Sequence, residues 1–289
     1  MKVLITGCRG MLGTDLMSVF GPVHEVVGLD LPGLDITRPD QCLAAVNAAR
    51  PDIIINAAAF TRVDDCETHE AEAMQVNGHG AGNLARAAMA AGSLLVHYST
   101  DYVFDGLKKE AYVETDEPNP QSVYGKSKLL GETLIRRNCP DHLILRTAWL
   151  FGPHGPNFIR TIVNAARQGK SLRVVHDQRG SPTCSKDLAE WTLKMVAAGF
   201  RATYHITNSG ACTWFELAAK AVEWAGIHNV SITPVSTSEF PRRAPRPANS
   251  VLANAHLERD GMPAMRPWQD AAREYVEQYL RQSAVGSKP

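Results

Sequence analysis

The chain has 289 residues, with 30 Lys and Arg residues balanced by 30 Asp and Glu residues, so its formal net charge at pH 7 is zero. This length accommodates one large domain or two smaller ones, and the balanced charge gives no electrostatic case for nucleic acid or a membrane surface as a partner. No apolar run approaches the roughly 20 residues of a membrane-spanning helix. The six scattered cysteines, without a C-x-x-C pair, predict free thiols in a reducing compartment, the cytoplasm, and no metal site.

The first predicted unit is a strand, a glycine turn and a helix. Lys2–Thr6 is apolar and β-branched and runs directly into Gly7-Cys-Arg-Gly10-Met-Leu-Gly13, so we expect no signal peptide. The apolar period that follows predicts a helix through Phe20. Glycines let the backbone turn tightly and let a pyrophosphate approach the N–H groups at a helix N-terminus. The turn therefore predicts a dinucleotide site, with an ordinary glycine-rich βα turn as the alternative.

An acidic residue ends the second predicted strand, Val26–Asp30. A carboxylate in this place suits the hydroxyls of an adenine ribose and disfavours a 2′-phosphate, while Arg9 in the glycine turn would offset that preference. The choice between NADH and NADPH therefore stays open. Asp35 follows in the next loop, either near the adenine or as an ordinary loop carboxylate, and Thr37 or Asp40 is predicted to cap the second helix.

Small residues follow the third predicted strand, Pro51–Asn56, which is apolar almost throughout. Ala57-Ala58-Ala59-Phe60-Thr61 begins where the strand ends, and ligands of open α/β sheets bind at that edge. We expect a flat or extended ligand to approach the backbone there. A long helix is predicted over Glu70–Ala91, and Asn77 inside it is unfavourable for a helix unless it packs or makes polar contacts.

A candidate acid–base pair lies on the fifth predicted helix, Ser122–Arg137. Tyr124 and Lys128 are four residues apart and therefore share one helix face. A lysine ammonium beside a phenol would lower the tyrosine pKa from its usual value of about 10. The fourth strand, Ser93–Tyr98, is followed by Ser99-Thr100-Asp101, whose side chains we expect to face the same crevice. A solvated pair on the helix surface is the alternative interpretation.

The alternation of strands and helices loosens after the fifth strand. The further predicted elements, in chain order, are Leu143–Thr147, Pro156–Gly169, Leu172–Val175, a helix from Ser185 or Asp187 through Met195, Tyr204–Asn208, Trp214–Ala225, Trp268–Leu280 and a frayed tail at Ser283–Pro289. Trp149 offers either a flat face for a sugar or base, or ordinary core packing. Arg242, Arg243 and Arg246 suit a diphosphate, with a solvated basic loop as the equal alternative.

Seven motifs in order give the chain a family resemblance. They are Gly7-x-x-Gly-x-x-Gly13, Asn56-Ala-Ala-Ala59, His97-Tyr-Ser-Thr-Asp-Tyr-Val-Phe104, Tyr124-x-x-x-Lys128, Arg146-Thr-Ala-Trp149, Gly180-Ser-Pro-Thr183 and Arg246-Pro-x-Asn-Ser250. With these motifs the sequence resembles the extended short-chain dehydrogenase/reductases over nearly its whole length. Within them it is similar to the dTDP-4-dehydrorhamnose reductase family.

The resemblance implies a function and a set of site residues. It implies NADPH or NADH as cofactor, dTDP-4-dehydro-L-rhamnose as substrate, and reduction of the C4 keto group to give dTDP-L-rhamnose. The implied catalytic residues are Tyr124 as proton donor with Lys128 and Thr100 beside it. The implied substrate contacts are Thr100, Asp101 and Trp149, to which Arg243 and Arg246 are added for the diphosphate. The expected cofactor site combines the glycine turn and strand ends with family positions: Gly7, Gly10, Met11, Leu12, Gly13, Asp30, Asp35, Ile36, Ala57, Ala58, Ala59, Phe60, Thr61, Tyr98, Tyr124 and Lys128.

One residue separates the chain from similar enzymes that also remove water. In the sugar-nucleotide 4,6-dehydratases, which the chain also resembles, a Glu follows the Thr-Asp pair. Here Tyr102 follows Thr100-Asp101. We therefore expect hydride transfer without dehydration. The alternatives are another 4-keto nucleotide-sugar reductase or epimerase, or a non-catalytic NADP-binding regulatory subunit. The family's subunit-contact metal is not predicted, since only Asp15 matches an acidic ligand, and the resemblance allows a homodimer while leaving the oligomeric state open.

The expected fold is an α/β Rossmann-type doubly wound parallel sheet with a smaller C-terminal α+β substrate domain. Residues 1–150 and about 172–208 are assigned to the dinucleotide-binding domain. Residues about 151–171 and 209–289 are assigned to the substrate-binding domain.

Overall fold

The computed structural model describes residues 1–281, so the expected frayed tail at Ser283–Pro289 lies outside the described residues. Its strands, in chain order, are β1 (Lys2–Thr6), β2 (Glu25–Leu29), β3 (Ile53–Asn56), β4 (Leu94–Thr100), β5 (His142–Thr147), β6 (Leu150–Phe151), β7 (Leu172–Val175), β8 (Arg179–Gly180), β9 (Thr183–Cys184), β10 (Ala202–His205), β11 (Cys212–Thr213) and β12 (Ile232–Val235). Its α-helices are α1 (Met11–Phe20), α2 (Pro39–Ala49), α3 (Val63–Cys66), α4 (Glu70–Ala73), α5 (Ala81–Ala91), α6 (Val123–Asn138), α7 (Phe158–Arg167), α8 (Ser185–Ala197), α9 (Trp214–Trp224), α10 (Ala255–Arg259) and α11 (Trp268–Tyr275).

Six parallel strands form the central sheet in the order β2-β1-β3-β4-β5-β10. The strands are apolar on both faces because helices cover both. Val3 and Ile5 pack with Leu16 of α1 and Leu188 of α8, whereas Leu4 between them packs on the opposite face with residues of α2 and α5. The chain passes from β1 to β2 on one side and then crosses to β3 on the other side of β1. This reversal of direction opens a crevice at the carboxyl ends of these strands. The doubly wound fold class is therefore confirmed.

A smaller lobe is built from two-stranded sheets and the helices α7, α9 and α11. Strand β7 pairs with β12, β8 with β11 and β6 with β9. The helices bury an apolar cluster that includes Ile159, Leu217 and Trp268. Strand β10 lies in the central sheet, as expected, but β7 does not, because its backbone pairs with β12 over Leu172–Val175. We therefore propose that residues 172–184 belong to the smaller lobe and not to the dinucleotide-binding domain.

The predicted N-cap of the second helix is wrong. Helix α2 begins at Pro39 after Arg38 as the N-cap, so neither Thr37 nor Asp40 caps it. Proline tolerates the first helical position because its missing N–H would have no helical partner there. Thr37 instead donates its backbone N–H and its hydroxyl to Asp35 Oδ1, at 2.9 and 2.7 Å.

The predicted helix over residues 70–91 is continuous but changes its winding in the middle. Helices α4 and α5 are joined by a π-helical turn over Met74–Gly80 that contains Asn77. Asn77 accepts from the Phe60 backbone N–H at 2.8 Å and donates to the Phe60 carbonyl at 3.0 Å and to Ser127 Oγ at 3.0 Å. The polar side chain thus ties the segment after β3 to helix α6. Among residues 1–281, no helix combines the length and apolar character needed to cross a membrane.

A fully buried ion pair holds helix α6 against the sheet. The Glu132 carboxylate accepts from Arg146 Nε and Nη2 on β5 at 2.9 and 2.7 Å, and from Ser99 Oγ on β4 at 2.5 Å. Arg136 reaches the same carboxylate from the outside at 2.7 Å, with its side chain 39% exposed against 2% for Arg146. These hydrogen bonds hold the pKa of Glu132 below its usual range although burial opposes this.

We expect Arg146→Met to lower the free energy of unfolding by about 3–5 kcal/mol, because it leaves a buried carboxylate without its buried counter-charge. Arg136→Met is the matched control and should cost about 1 kcal/mol or less, since that arginine is partly solvated. Denaturant unfolding of both variants measures the difference. Equal losses for the two variants would contradict the importance assigned to the buried pair.

Candidate active site

The glycine turn brings β1, α1 and the end of β3 closer than side chains would allow. Gly7 has a left-handed φ of +68°, and a Cβ on it would lie 2.6 Å from the Ala58 backbone nitrogen. A Cβ on Gly13 would lie 2.0 Å from the Gly7 carbonyl oxygen. Helix α1 starts after Gly10 with no side-chain cap, so the first-turn N–H groups have no partner within the helix. This end of the crevice therefore has the free donors and the positive helix end that a pyrophosphate needs.

A cavity of about 840 Å³ extends from the glycine turn along the strand ends. The predicted site residues that line it are Gly10, Met11, Leu12, Gly13, Ala57, Ala58, Ala59, Thr61, Tyr98, Thr100, Asp101, Tyr124, Lys128 and Trp149. Both the expected cofactor end and the expected catalytic end thus share one space.

Other predicted site residues lie outside the lining of this cavity, among the residues the structure describes: Gly7, Asp30, Asp35, Ile36, Phe60, Arg243 and Arg246. Gly7 lies directly against the backbone of the lining residue Ala58, and the backbone of Phe60 is held by the Asn77 side chain. The Asp30 carboxylate accepts from the backbone N–H of Arg9 at 3.0 Å, and Arg9 itself lines the cavity. The Asp30 carboxylate, which disfavours a 2′-phosphate, thus lies beside Arg9, which would favour one. The choice between NADH and NADPH therefore stays open.

The arginine loop does not face the cavity in this structure. Arg246 Nη2 pairs with Asp64 Oδ2 at 2.9 Å, and its guanidinium lies 6.0 Å from the Tyr102 ring centroid. Arg243 is exposed to solvent. Arg246 would have to leave Asp64 to reach a diphosphate in the cavity.

Sequence reasoning missed the lining contributed by β5, β6, the residues that follow each of these strands and the start of α9. The end of β5 and the residue after it supply Thr147 and Ala148, and β6 supplies Leu150. The segment after β6 supplies His154, Gly155 and Pro156, and α9 supplies Trp214. Thr147 and Ala148 lie inside the Arg146-Thr-Ala-Trp149 motif, which could have indicated them, whereas no shared period or motif marks the others. Trp214 also stacks on Trp149, with ring centroids 3.4 Å apart and planes 6° from parallel. Gly180 allows this position, because a Cβ there would lie 2.2 Å from the Trp149 ring.

Helix α6 presents the predicted acid–base pair to the cavity. Ser122 caps the helix by accepting from the Gly125 N–H at 3.1 Å. Tyr124, one residue into the helix, packs edge-on against Tyr102 with centroids 5.6 Å apart. Lys128 is buried, and its Nζ donates to the Tyr98 carbonyl at 2.6 Å and lies 3.3 Å from His97 Nε2.

The expected lowering of the Tyr124 pKa by Lys128 is wrong for this structure. Burial raises the pKa of Tyr124 and the Asp101 carboxylate raises it further, while a hydrogen bond with the Thr100 hydroxyl opposes them. Burial also lowers the pKa of Lys128 to about 8, against the opposing charge of Glu132. Removal from water is thus the largest influence on the pKa of both residues. A protonated Tyr124 is a proton donor, which is the form a carbonyl reduction requires.

Thr100 and Asp101 are joined at the end of β4. Thr100 Oγ1 donates to Asp101 Oδ1 at 2.8 Å and accepts from the Tyr102 N–H at 3.2 Å. Burial raises the pKa of Asp101 to about 6, although hydrogen bonds from Ser250 and Thr100 oppose this. The Thr100 hydroxyl must exchange its Asp101 partner before it can donate to a substrate oxygen.

Asp15, the one residue that matches an acidic ligand of the family's metal, has other partners in this structure. The Asp15 carboxylate accepts a hydrogen bond from the Ser185 hydroxyl and lies 3.6 Å from His154 Nε2. Within residues 1–281 no group of three or more His, Cys, Asp or Glu side chains is arranged to hold a metal ion.

Comparison with known proteins gives a family match over the whole described chain. Residues 1–281 match the family model described as the RmlD substrate binding domain. A dTDP-4-dehydrorhamnose reductase of Burkholderia thailandensis is 39% identical, over 89% of this chain and 92% of its own length. A probable dTDP-4,6-dihydroxy-2-methyloxan-3-one 4-ketoreductase of Streptomyces antibioticus is also 39% identical, over 95% of this chain and 94% of its own.

A solved structure agrees with the sequence relatives. The dTDP-4-dehydrorhamnose reductase of Bacillus anthracis, in complex with NADP, superimposes with a TM-score of 0.93 at 37% identity, covering 96% of this chain and 99% of that chain. The fold, the cavity and these matches lead to one conclusion. The chain belongs to the RmlD substrate binding domain family, the family of the dTDP-4-dehydrorhamnose reductases.

Proposed function

We propose that the chain is an oxidoreductase that reduces the C4 keto group of dTDP-4-dehydro-L-rhamnose to give dTDP-L-rhamnose, with NADPH or NADH as cofactor. The observation that carries the proposal is the convergence of Thr100, Tyr124 and Lys128 on the cavity that begins at the glycine turn. The product is a nucleotide sugar for cell-surface polysaccharide such as the lipopolysaccharide O-antigen. The B. thailandensis and B. anthracis relatives carry the name of this activity.

The residues present fit a dinucleotide. Gly7 and Gly13 let the turn pack against backbone that any Cβ would collide with, and Met11 and Leu12 offer first-turn N–H groups to a pyrophosphate. Ala57, Ala58 and Ala59 leave room for an extended ligand along the end of β3. The bound nicotinamide supplies the hydride.

The side chains of the cavity divide the remaining work. Tyr124 donates its phenolic proton to the oxygen formed at C4, and Thr100 positions that oxygen by a hydrogen bond. Lys128 holds the ribose beside the nicotinamide, and Asp101 orders sugar hydroxyls. Trp149, supported by Trp214, offers an aromatic face to the sugar or base. Because Tyr102 stands where a carboxylate would be needed to remove water, the reaction stops at carbonyl reduction.

The proposal also includes the contacts to the diphosphate, the oligomeric state and the location in the cell. Arg243 and Arg246 are proposed to bind the diphosphate of the substrate. For this, Arg246 must break its ion pair with Asp64. A homodimer is proposed as the assembly. A cytoplasmic location agrees with the six free cysteines.

A second candidate is reduction of a different 4-keto nucleotide sugar, which the S. antibioticus relative favours. A 4-epimerase on the same scaffold and a non-catalytic NADP-binding subunit are the further alternatives. Nicotinamide absorbance during incubation with dTDP-4-dehydro-L-rhamnose and with its 4-keto hexose isomers distinguishes them. Oxidation with the first substrate alone supports the proposal, preference for an isomer supports the second candidate, and cofactor binding without turnover with any sugar would contradict both.

We expect Tyr124→Phe to bind cofactor normally and to lose turnover by ~10²-fold or more, the usual contribution of a positioned acid. Tyr204→Phe is the matched control, because Tyr204 donates to Asp260 at 2.7 Å and lies outside the cavity lining. Steady-state rates of both variants with the 4-keto sugar measure the effect. Full activity of Tyr124→Phe would rule out its role as proton donor.

We expect Lys128→Ala to weaken cofactor affinity and to lower kcat as well, because the buried ammonium is placed to bind ribose hydroxyls. Lys126→Ala, on the same helix but exposed to solvent, should change neither quantity. Cofactor titration and steady-state kinetics provide the two measurements. An unchanged cofactor affinity in Lys128→Ala would count against the ribose contact.

A further inference from the structure

A row of buried polar side chains runs behind the catalytic lysine across three strands. Thr6 of β1 is in register with Asn56 of β3, and Asn56 is in register with His97 of β4. All three are at most 2% exposed. His97 Nε2 then lies 3.3 Å from Lys128 Nζ, so the row ends at a residue that lines the cavity.

The orientation of the Asn56 amide follows from its contact with the Ala58 backbone N–H. The Ala58 backbone N–H can only donate, and it lies 3.1 Å from Asn56 Oδ1. The atom in that place must therefore be the carbonyl oxygen, which also accepts from Thr6 Oγ1 at 2.9 Å. The amide nitrogen consequently faces His97 Nδ1 at 3.1 Å and donates to it.

The proton position on His97 follows from the same row. Burial and the charge of Lys128 hold the pKa of His97 well below its usual value, so the ring is neutral. A neutral imidazole has one protonated nitrogen. Because Nδ1 accepts from Asn56, the proton lies on Nε2, the nitrogen that faces Lys128.

The Nε2–H of His97 therefore points a hydrogen-bond donor at Lys128 Nζ, where an ammonium group would need an acceptor. We propose that His97, held by Asn56 in the Nε2–H tautomer, is a positioning residue that weakens the ammonium form of Lys128. The inference rests on the proposed function of Lys128, but the tautomer itself exists without turnover. Lys128 thus changes its charge closer to neutral pH than an ordinary lysine does.

The charged groups around Lys128 do not cancel the weakening of its ammonium form by His97. Glu132, one turn further along α6, favours the ammonium form. Its carboxylate is already shared by Arg146 from β5 and Arg136. Asp101 lines the same cavity, where its own pKa is raised by burial. The Lys128 Nζ also lies within hydrogen-bond distance of His97 Nε2, at 3.3 Å, and of the Tyr98 carbonyl, at 2.6 Å.

The tautomer is measured directly by nitrogen-15 NMR of the histidine-labelled full-length apoenzyme, with the His97 signals assigned by their loss in His97→Gln. We expect an unprotonated Nδ1 and a protonated Nε2. A protonated Nδ1 would overturn the proposal. This measurement needs no substrate, so it remains decisive if the proposed sugar is wrong.

Asn56→Asp tests the consequence for Lys128. An aspartate accepts from both the Ala58 N–H and His97 Nδ1, so the histidine proton moves to Nδ1 and Nε2 becomes an acceptor for Lys128. We expect the tautomer to switch and the titration of Lys128 Nζ, followed by nitrogen-15 NMR, to move up by about one pH unit, the scale of one charge-assisted hydrogen bond. Thr6→Val is the control, since the Ala58 N–H still orients Asn56, and it should leave both quantities unchanged.

Two results in these variants would overturn the proposal. One is a switched tautomer in Asn56→Asp with an unchanged Lys128 titration, and the other is a switched tautomer in Thr6→Val. If Asn56→Asp does not fold, the wild-type tautomer and the Lys128 titration in His97→Gln still decide the question: without the facing N–H, the lysine should titrate at higher pH, and an unchanged titration would contradict the account.

Discussion

The Glu132 carboxylate is the point on which the alignment of the catalytic groups depends. It lies on the helix that carries Tyr124 and Lys128, and it binds Arg146 of β5 and Ser99 of β4 at once. Ser99 directly precedes Thr100 in the chain, so a bond to Ser99 also fixes the end of the strand that carries the hydroxyl. Because all of these groups are buried, a rotation of the helix would leave charges without partners. The helix therefore meets the strand ends in one orientation.

Burial also determines the protonation states in the cavity. A charged side chain loses more than a neutral one when it is removed from water. Burial accordingly keeps Tyr124 protonated, raises the pKa of Asp101 to about 6 and lowers the pKa of Lys128 to about 8. The sequence argument considered only the attraction between Tyr124 and Lys128, whereas the buried environment reverses its expected result. The row from Asn56 through His97 acts in the same direction on Lys128.

The sequence predicted most of the central sheet because its signals are local. Apolar strands, a glycine turn and periodic helices each occupy a short stretch, and parallel strands place their carboxyl ends at one edge. The pairing of Leu172–Val175 with β12, on which the proposed change of the domain boundary rests, was not predicted because it joins residues 60 positions apart. Trp214 and His154 were missed for the same reason, since only the folded chain brings their segments to the cavity. The Glu132–Arg146 pair was not predicted either, because nothing in the sequence indicates that these two charges, 14 positions apart, meet in the interior.

Cofactor and sugar are proposed to meet in the cavity at the strand ends, so that hydride passes directly to C4 of the sugar. The most direct test uses NADPH or NADH deuterated at the transferable position of the nicotinamide, with dTDP-4-dehydro-L-rhamnose in ordinary water. NMR and mass spectrometry of the product locate the label. The account predicts one deuterium at C4 of the sugar. A product that carries no deuterium, or carries it at another carbon, would contradict it.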